Sequence, residues 1–306
     1  MERWLSWSKA HDWKSCVGHK PTEGSNPSLS ANRADAVRLP CFVFEVSSMM
    51  LFSASSYRPH GAAGRIAGAR LLAGIVLAAA AAAVLLNDGL PRLNAPSQSR
   101  YPVRGVDVSA YQGDVDWKAL ARQGVSFAFI KATEGSSSQD PNFQQNWQQA
   151  RQSGLRAGAY HFFSFDSGGE TQAENFIRTV EPFDGMLPPV VDVELYGDRK
   201  LHPPAREEVT EQLTLLLKRL EEHYGMRPVL YATGSAYDRY LAGDYEGYDI
   251  WIRNVYFSPN LKDGRDWTFW QYTDRGQLDG YAGEEPYIDL NVFNGTEEEF
   301  AAYPEN

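Results

Sequence analysis

VVDVEL, residues 190–195, decides how this chain folds. Pro188 and Pro189 precede it and a polar, Gly-containing loop follows, so the apolar run reads as a short buried strand. Inside it stand Asp192 and Glu194, two residues apart. Side chains at i and i+2 of a strand share a face, so both carboxyls point the same way. Burying two like charges together is costly, and neighbouring carboxylates push their ionisations apart. For an isolated DxE pair the bland account is a strand end whose acids meet solvent or arginines. The functional account is a site that needs one protonated acid beside one ionised partner at neutral pH. The rest of the chain favours the second.

On either side of this strand the sequence alternates. Upstream, GVDVSAY (105–111) is a strand, and Asp116 caps an amphipathic helix that ends at Gly124. FAFIKATEG (127–135) is the second strand, followed by a helix that starts at Pro141 and stops at Gly154. RAGAYHFF (156–163) is the third strand, and GGETQAENFIRTVEP (168–182) carries the third helix. Downstream, the longest helix runs from about Pro204 to Tyr224, with Val209, Leu213, Leu216, Leu217, Leu220 and Tyr224 on one face. RPVLYATG (227–234) is the fifth strand. Beyond it the helical signal fades. GSAYDRYLAG (234–243) holds one short helix at most, and DIWIRNVY (249–256), TFWQYTDRG (268–276) and YIDLNVFNG (287–295) read as three strands without clear helices between them.

This is an α/β pattern. Four strand-helix repeats leading into a fifth strand imply parallel strands in a barrel or a doubly wound sheet. Eight strands are enough to close a small barrel. No Gly-rich phosphate loop follows the first strand, which argues against a dinucleotide fold.

Charge divides the chain in two. Lys and Arg exceed Asp and Glu by 11 to 6 over residues 1–100 and fall short by 18 to 33 over residues 101–306, so a net charge of -10 conceals a strongly acidic second part. Such a domain lacks the basic footprint that nucleic acid demands. Both cysteines, Cys16 and Cys41, lie in the first part, so neither a disulfide nor a thiolate metal site holds the acidic part together. With no His or Cys cluster there, neither a transition metal nor another cofactor is expected.

The first hundred residues are of another kind. Residues 1–48 show no sustained periodicity, and Gly24-Ser25-Asn26-Pro27 is what the T-arm of a transfer RNA gene yields when read as codons. The expectation is that this leader is non-native and that translation starts at Met49 or Met50; a disordered Ser/Pro-rich leader is the alternative. Arg58, Arg65 and Arg70, in a basic flank spanning 49–70, precede LLAGIVLAAAAAAVLL (71–86), which carries no charge. That order keeps the N-terminus cytoplasmic and sends the downstream chain across the membrane. Sixteen residues span roughly 24 Å, short of a ~30 Å hydrocarbon core, unless residues 66–69 extend the run with Arg70 snorkelling. An uncleaved anchor facing the periplasm or cell exterior is expected ahead of a cleaved signal that would release the protein. Residues 87–100 read as a linker, and 101–306 as the exported domain.

In a parallel barrel, chemistry sits at the C-terminal strand ends. Polar residues interrupt these strands there: Asp107, Lys131 with Glu134, Tyr160, Asp192 with Glu194, Tyr231, Gln271 with Tyr272, and Asp289 with Asn291. Lys131 and Glu134 are expected as a structural ion pair, and His161, alternating away from Tyr160, as packing outside the lumen. A ring of acids and aromatics suits a carbohydrate site, where acids move protons and aromatic faces stack on sugars.

The motifs RGVDVSAYQGDVDW, FAFIKATEG, GAYHFF, VVDVE, PVLYAT and WQYTDRGQLDGY followed by IDLNVFNG, in this order and over residues 104–295, resemble family 25 glycoside hydrolases. The resemblance implies a modified TIM-like (β/α)5β3 barrel that hydrolyses the β-1,4 bond between N-acetylmuramic acid and N-acetylglucosamine in peptidoglycan. Carried over by position, it implies Glu194 as general acid and Asp192 as the partner that stabilises charge at the anomeric carbon, with Asp107 and Asp289 in the same cleft. Tyr160, Tyr231, Trp270, Tyr272 and Asn291 are the implied sugar contacts. WIRNV departs from the pattern by placing Arg253 and Asn254 where smaller residues such as alanine are expected, which bears on the outer substrate contacts. Two other readings stand beside it: an inactivated barrel that only binds peptidoglycan, which would have shed Asp192 or Glu194, and a barrel glycosidase acting on another polysaccharide.

Overall fold

The computed structural model describes residues 74–77 and 95–304. Residues 74–77 form a helical turn with all four residues exposed. The remainder of the expected span 71–86, the leader 1–48, the basic flank 49–70 and residues 87–94 of the linker lie outside the described residues. Among the described residues no helix is long and apolar enough to cross a membrane.

The compact unit Leu90–Asn306 is a closed barrel. Its strands are β1 Arg104–Val108, β2 Phe127–Glu134, β3 Ser138–Gln139, β4 Arg156–Phe162, β5 Val190–Val193, β6 Val229–Thr233, β7 Ile250–Arg253, β8 Phe269–Gly276 and β9 Ile288–Phe293. Eight of them close the ring β1-β2-β4-β5-β6-β7-β8-β9, and β3 is a two-residue partner for the end of β2. Neighbours run parallel from β1 round to β8, while β9 is antiparallel to both β8 and β1. The sequence supports the reversal because residues 277–287 join β8 to β9 without a helical crossover, which a parallel return would normally require.

Helices follow the first five barrel strands: α1 Trp117–Arg122, α2 Phe143–Gln152, α3 Gly169–Thr179, α4 Arg206–Tyr224, then Gly234–Ala236 running into a π-helical turn, Tyr237–Leu241. Strands β7 to β9 have none between them, and α5, Glu297–Ala302, closes the domain. Asp116 starts α1 by accepting from the Ala119 amide at 2.9 Å. In α4 the expected face is the buried one, through Val209, Leu213, Leu216, Leu217 and Leu220, and Gly225 ends the helix at a φ of 64°. Helices α3 and α4 approach so closely at Gly169 that a Cβ there would lie 1.9 Å from the Gln212 carbonyl oxygen.

Period-two alternation splits each barrel strand between an outer apolar layer under the helices and the lumen. The lumen is filled from below. Phe127, Phe269 and Phe293 meet Phe300 and Tyr303 from the C-terminal segment, with Phe127 and Phe300 ring centres 5.4 Å apart. Gly105 leaves the room that Phe127 occupies, since a Cβ would stand 2.3 Å from its ring. One layer higher, Phe129 stacks on Trp251 at 4.6 Å, and Tyr231 meets Trp251 edge-on at 4.4 Å. This aromatic floor is what the polar rim rests on.

Candidate active site

Strand register assembles the rim. Asp192 lies between Phe162 of β4 and Tyr231 of β6, and Asp107 of β1 lies opposite Asp289 of β9. Continuing the β5–β6 register by one residue brings Glu194, just past the end of β5, beside Thr233, from which a single rung runs through Arg253 and Gln271 to Asn291. Because β9 is reversed, Asp289 reaches this rim from near the N-terminal end of its strand and Asn291 from mid-strand.

Asp107 is held by a chain of buried hydrogen bonds. Its Oδ2 accepts from Asn291 Nδ2 at 2.7 Å and from Gln271 Nε2 at 2.9 Å. Trp251 Nε1 donates to Asn291 Oδ1 at 2.8 Å, and the Tyr231 hydroxyl donates to Gln271 Oε1 at 3.0 Å. Both amides are thereby oriented, and two aromatic donors at the floor fix the carboxylate above them. Asp192 and Glu194 are held differently. They are 7% and 3% exposed, and Asp192 Oδ1 and Glu194 Oε1 find no hydrogen-bond partner among the described residues. A buried polar atom left without a partner costs about 1–3 kcal/mol, and at the mouth these two oxygens are free to meet a ligand.

Burial raises every carboxyl in the group. Desolvation pushes Asp192 well above the usual carboxylate range, with the charge of Glu194 adding to the rise and Lys131 opposing it. Desolvation also lifts Glu194 to about 7, against the pull of Arg253, the Tyr231 hydroxyl and Lys200. Asp107 is raised by burial despite its amide donors, and Asp289 well raised by burial and by Asp107. Four acids sharing one desolvated mouth cannot all ionise. A carboxyl that titrates near neutral pH can give up a proton and regain it, which is what general acid catalysis requires.

Asp107, Asp192, Glu194, Asp289, Tyr160, Tyr231 and Asn291 thus come together on the lumen side. Trp270 and Tyr272, expected as sugar contacts, do not. Phe269 and Gln271 take the lumen positions of β8, so Trp270 faces outward, 1% exposed, packed on Tyr101 and Trp267 with its Nε1 donating to the Asn254 carbonyl. Tyr272 sits at an irregularity in the β8–β9 register, belongs to the same outer cluster, and accepts from Arg104 Nη1 at 3.2 Å. Lys131 and Glu134 form the expected ion pair at 2.8 Å, with Lys131 also over the Phe162 ring.

His161 packs outside the lumen as expected. Its Nδ1 is 2.7 Å from Thr133 Oγ1 and its Nε2 is 3.0 Å from Gln172 Oε1, and burial lowers its pKa to about 4. The residues under-read from sequence are Trp251, Arg253 and Gln271, which orient or face the carboxyls. The alternation of IWIR, which puts Trp251 and Arg253 on one face, was the available signal. Among the described residues no group of three or more His, Cys, Asp or Glu is arranged to hold a metal ion.

Comparison with known proteins agrees with this geometry. Residues 106–281 match the model of the family described as Glycosyl hydrolases family 25. The chain is 41% identical over 208 residues to the protein YegX of Escherichia coli O157:H7, covering 66% of this chain and 74% of that one. It is 32% identical over 222 residues to Lysozyme M1 of Streptomyces globisporus, covering 67% and 72%. Among solved structures, a family 25 glycosyl hydrolase from Bacillus anthracis superimposes with a TM-score of 0.65 at 56% identity, covering 68% of this chain and 96% of that one.

Proposed function

The chain belongs to glycosyl hydrolases family 25 and is a glycoside hydrolase, and from that premise we propose that it is a muramidase whose acid is Glu194. Its substrate is the glycan strand of peptidoglycan, cut at the β-1,4 bond between N-acetylmuramic acid and N-acetylglucosamine. The names of two relatives, Lysozyme M1 and the N,O-diacetylmuramidase of Chalaropsis, support that substrate class. The observation that carries the acid assignment is Glu194 itself: buried at the mouth of the barrel, with one oxygen unpartnered by the described residues and a carboxyl lifted to about 7.

In this reading Glu194 protonates the leaving oxygen. Asp192, on the same face one step down β5, cannot approach the opposite side of the sugar ring, as a nucleophile beside that acid should. Muramic acid carries a 2-acetamido group whose oxygen can reach the anomeric carbon. Asp192 orients that amide as positive charge develops, and water then opens the cyclic intermediate with net retention, its proton returning to Glu194. Asp107 and Asp289 line the same cleft. Tyr160, Tyr231 and Asn291 line the sugar cleft. Arg58, Arg65 and Arg70 ahead of residues 71–86 support export of the barrel on an anchor or signal.

Purified peptidoglycan digested by the protein is expected to yield fragments whose reducing ends, by mass spectrometry, are N-acetylmuramic acid; reducing-end N-acetylglucosamine, or no digestion, overturns the activity. De-N-acetylated muramic acid is expected to block cleavage. Undiminished cutting of such glycan, or an inverted first-formed anomer, would overturn substrate assistance and leave the acid assignment standing.

A further inference from the structure

Arg253 is the departure from the family pattern that the rim makes most of. It follows Thr233 on the rung that starts at Glu194, and threonine is short enough for the guanidinium to reach across it toward the acid. The side chain is only 13% exposed and is fastened to Asp274, just beyond the rung on β8, at 2.8 Å. Three cations stand around the mouth. Lys131 is paired with Glu134 and faces Asp192, and Lys200 is exposed, where solvent and salt screen it. Arg253, 13% exposed, is the cation on the Glu194 rung, and a guanidinium keeps its charge at every pH the protein meets.

Asp107 on β1 opposes ionisation of Glu194 itself, Glu134 on β2 and Asp107 act the same way on its neighbour Asp192, and Asp107 with Asp274 on β8 on Asp289 of β9. The phenols Tyr160 and Tyr231 face the same mouth from β4 and β6 and stay neutral. Buried among these acids, Glu194 without a cation beside it would hold its proton more firmly. We propose that the Arg253–Asp274 pair is a positioning device that sets the pH range over which Glu194 acts as acid, Arg253 favouring release of the proton and Asp274 moderating that pull. This inference rests on the assignment of Glu194 above.

The test is the pH dependence of kcat/KM on a soluble peptidoglycan glycan fragment, whose alkaline limb reports loss of the protonated acid. Arg253→Gln removes the cation and is expected to move that limb up by roughly one pH unit. Arg253→Lys is expected to hold the limb near its wild-type position. Asp274→Asn leaves Arg253 unmoderated and is expected to move the limb down, opposite in sign. A purely structural role for the pair would lower activity at every pH without moving the limb. Limbs unmoved in both the Gln and Asn variants, or moved the same way, overturn the proposal. If Arg253→Gln fails to fold, Arg253→Lys and Asp274→Asn decide it: a downward shift in the latter with none in the former supports the pair, and no shift in the latter overturns it. Glu194→Gln separates the two claims, because near-normal turnover there removes the acid assignment itself, whereas an inactive variant beside unmoved limbs removes only this inference.

Discussion

Gln271→Leu isolates the hydrogen-bond chain that holds the rim. Gln271 is 2% exposed, accepts from the Tyr231 hydroxyl at 3.0 Å and donates to Asp107 Oδ2 at 2.9 Å. Leucine fills nearly the same space and can do neither. A hydrogen bond to a charged group is worth about 1.5–3 kcal/mol and a neutral one about 0.5–1.5 kcal/mol. Asp107 retains Asn291 as donor, and the freed Tyr231 hydroxyl can turn to Glu194, which it already contacts. The expected loss is therefore about 2–4 kcal/mol in urea denaturation with the m-value unchanged. In a domain of about 200 residues that corresponds to a fall in Tm of roughly 4–16 °C. The redirected hydroxyl favours ionised Glu194, so the alkaline limb of kcat/KM should also move to lower pH. The double variant with Tyr231→Phe tests the link, since two partners of one bond should be non-additive by about 0.5–1.5 kcal/mol. A loss under about 0.5 kcal/mol, or strict additivity with Tyr231→Phe, would refute the idea that this amide supports the rim.

Trp270→Ala should cost about 3–5 kcal/mol of stability, as an outward-packed core residue does, and leave KM within a few-fold; a large KM effect in folded protein would return Trp270 to the sugar site. His161 is depressed to about 4 by burial, so its neutral form stabilises the fold above the unfolded value near 6.5, and that contribution is lost as pH falls from there towards 4. Wild type should consequently lose up to about 1.4 kcal/mol per pH unit more than His161→Gln across that window, measured by urea denaturation at each pH, and equal slopes would contradict it.

What could be read from sequence was whatever period two or period 3.6 encodes locally. The shared face of Asp192 and Glu194, the buried stripe of α4 and the outward turn of His161 all follow from spacing within one segment. Period two places Trp270 and Gln271 on opposite faces but does not say which face is the lumen. That is settled by Phe129 and Trp251 filling the space beneath Gln271, and by the irregularity at Tyr272, neither of which leaves a mark on residues 268–276. The reversal of β9 leaves no mark on the period-two pattern of D-x-N itself; its trace is the short, helix-free link 277–287. Arg253 stood out as a departure in sequence, yet its reach toward Glu194 depends on Thr233 standing between them, a neighbour on another strand and distant in the chain.

The proposed reaction turns on one proton, that of Glu194. Turnover of purified peptidoglycan by Glu194→Gln, measured at neutral pH alongside binding to the same material, tests it most directly. Glutamine keeps the shape of the side chain and has no acidic proton to donate, so the rate should fall ~10²–10⁴-fold with binding retained. A rate within a few-fold of wild type would mean that Glu194 is not the acid.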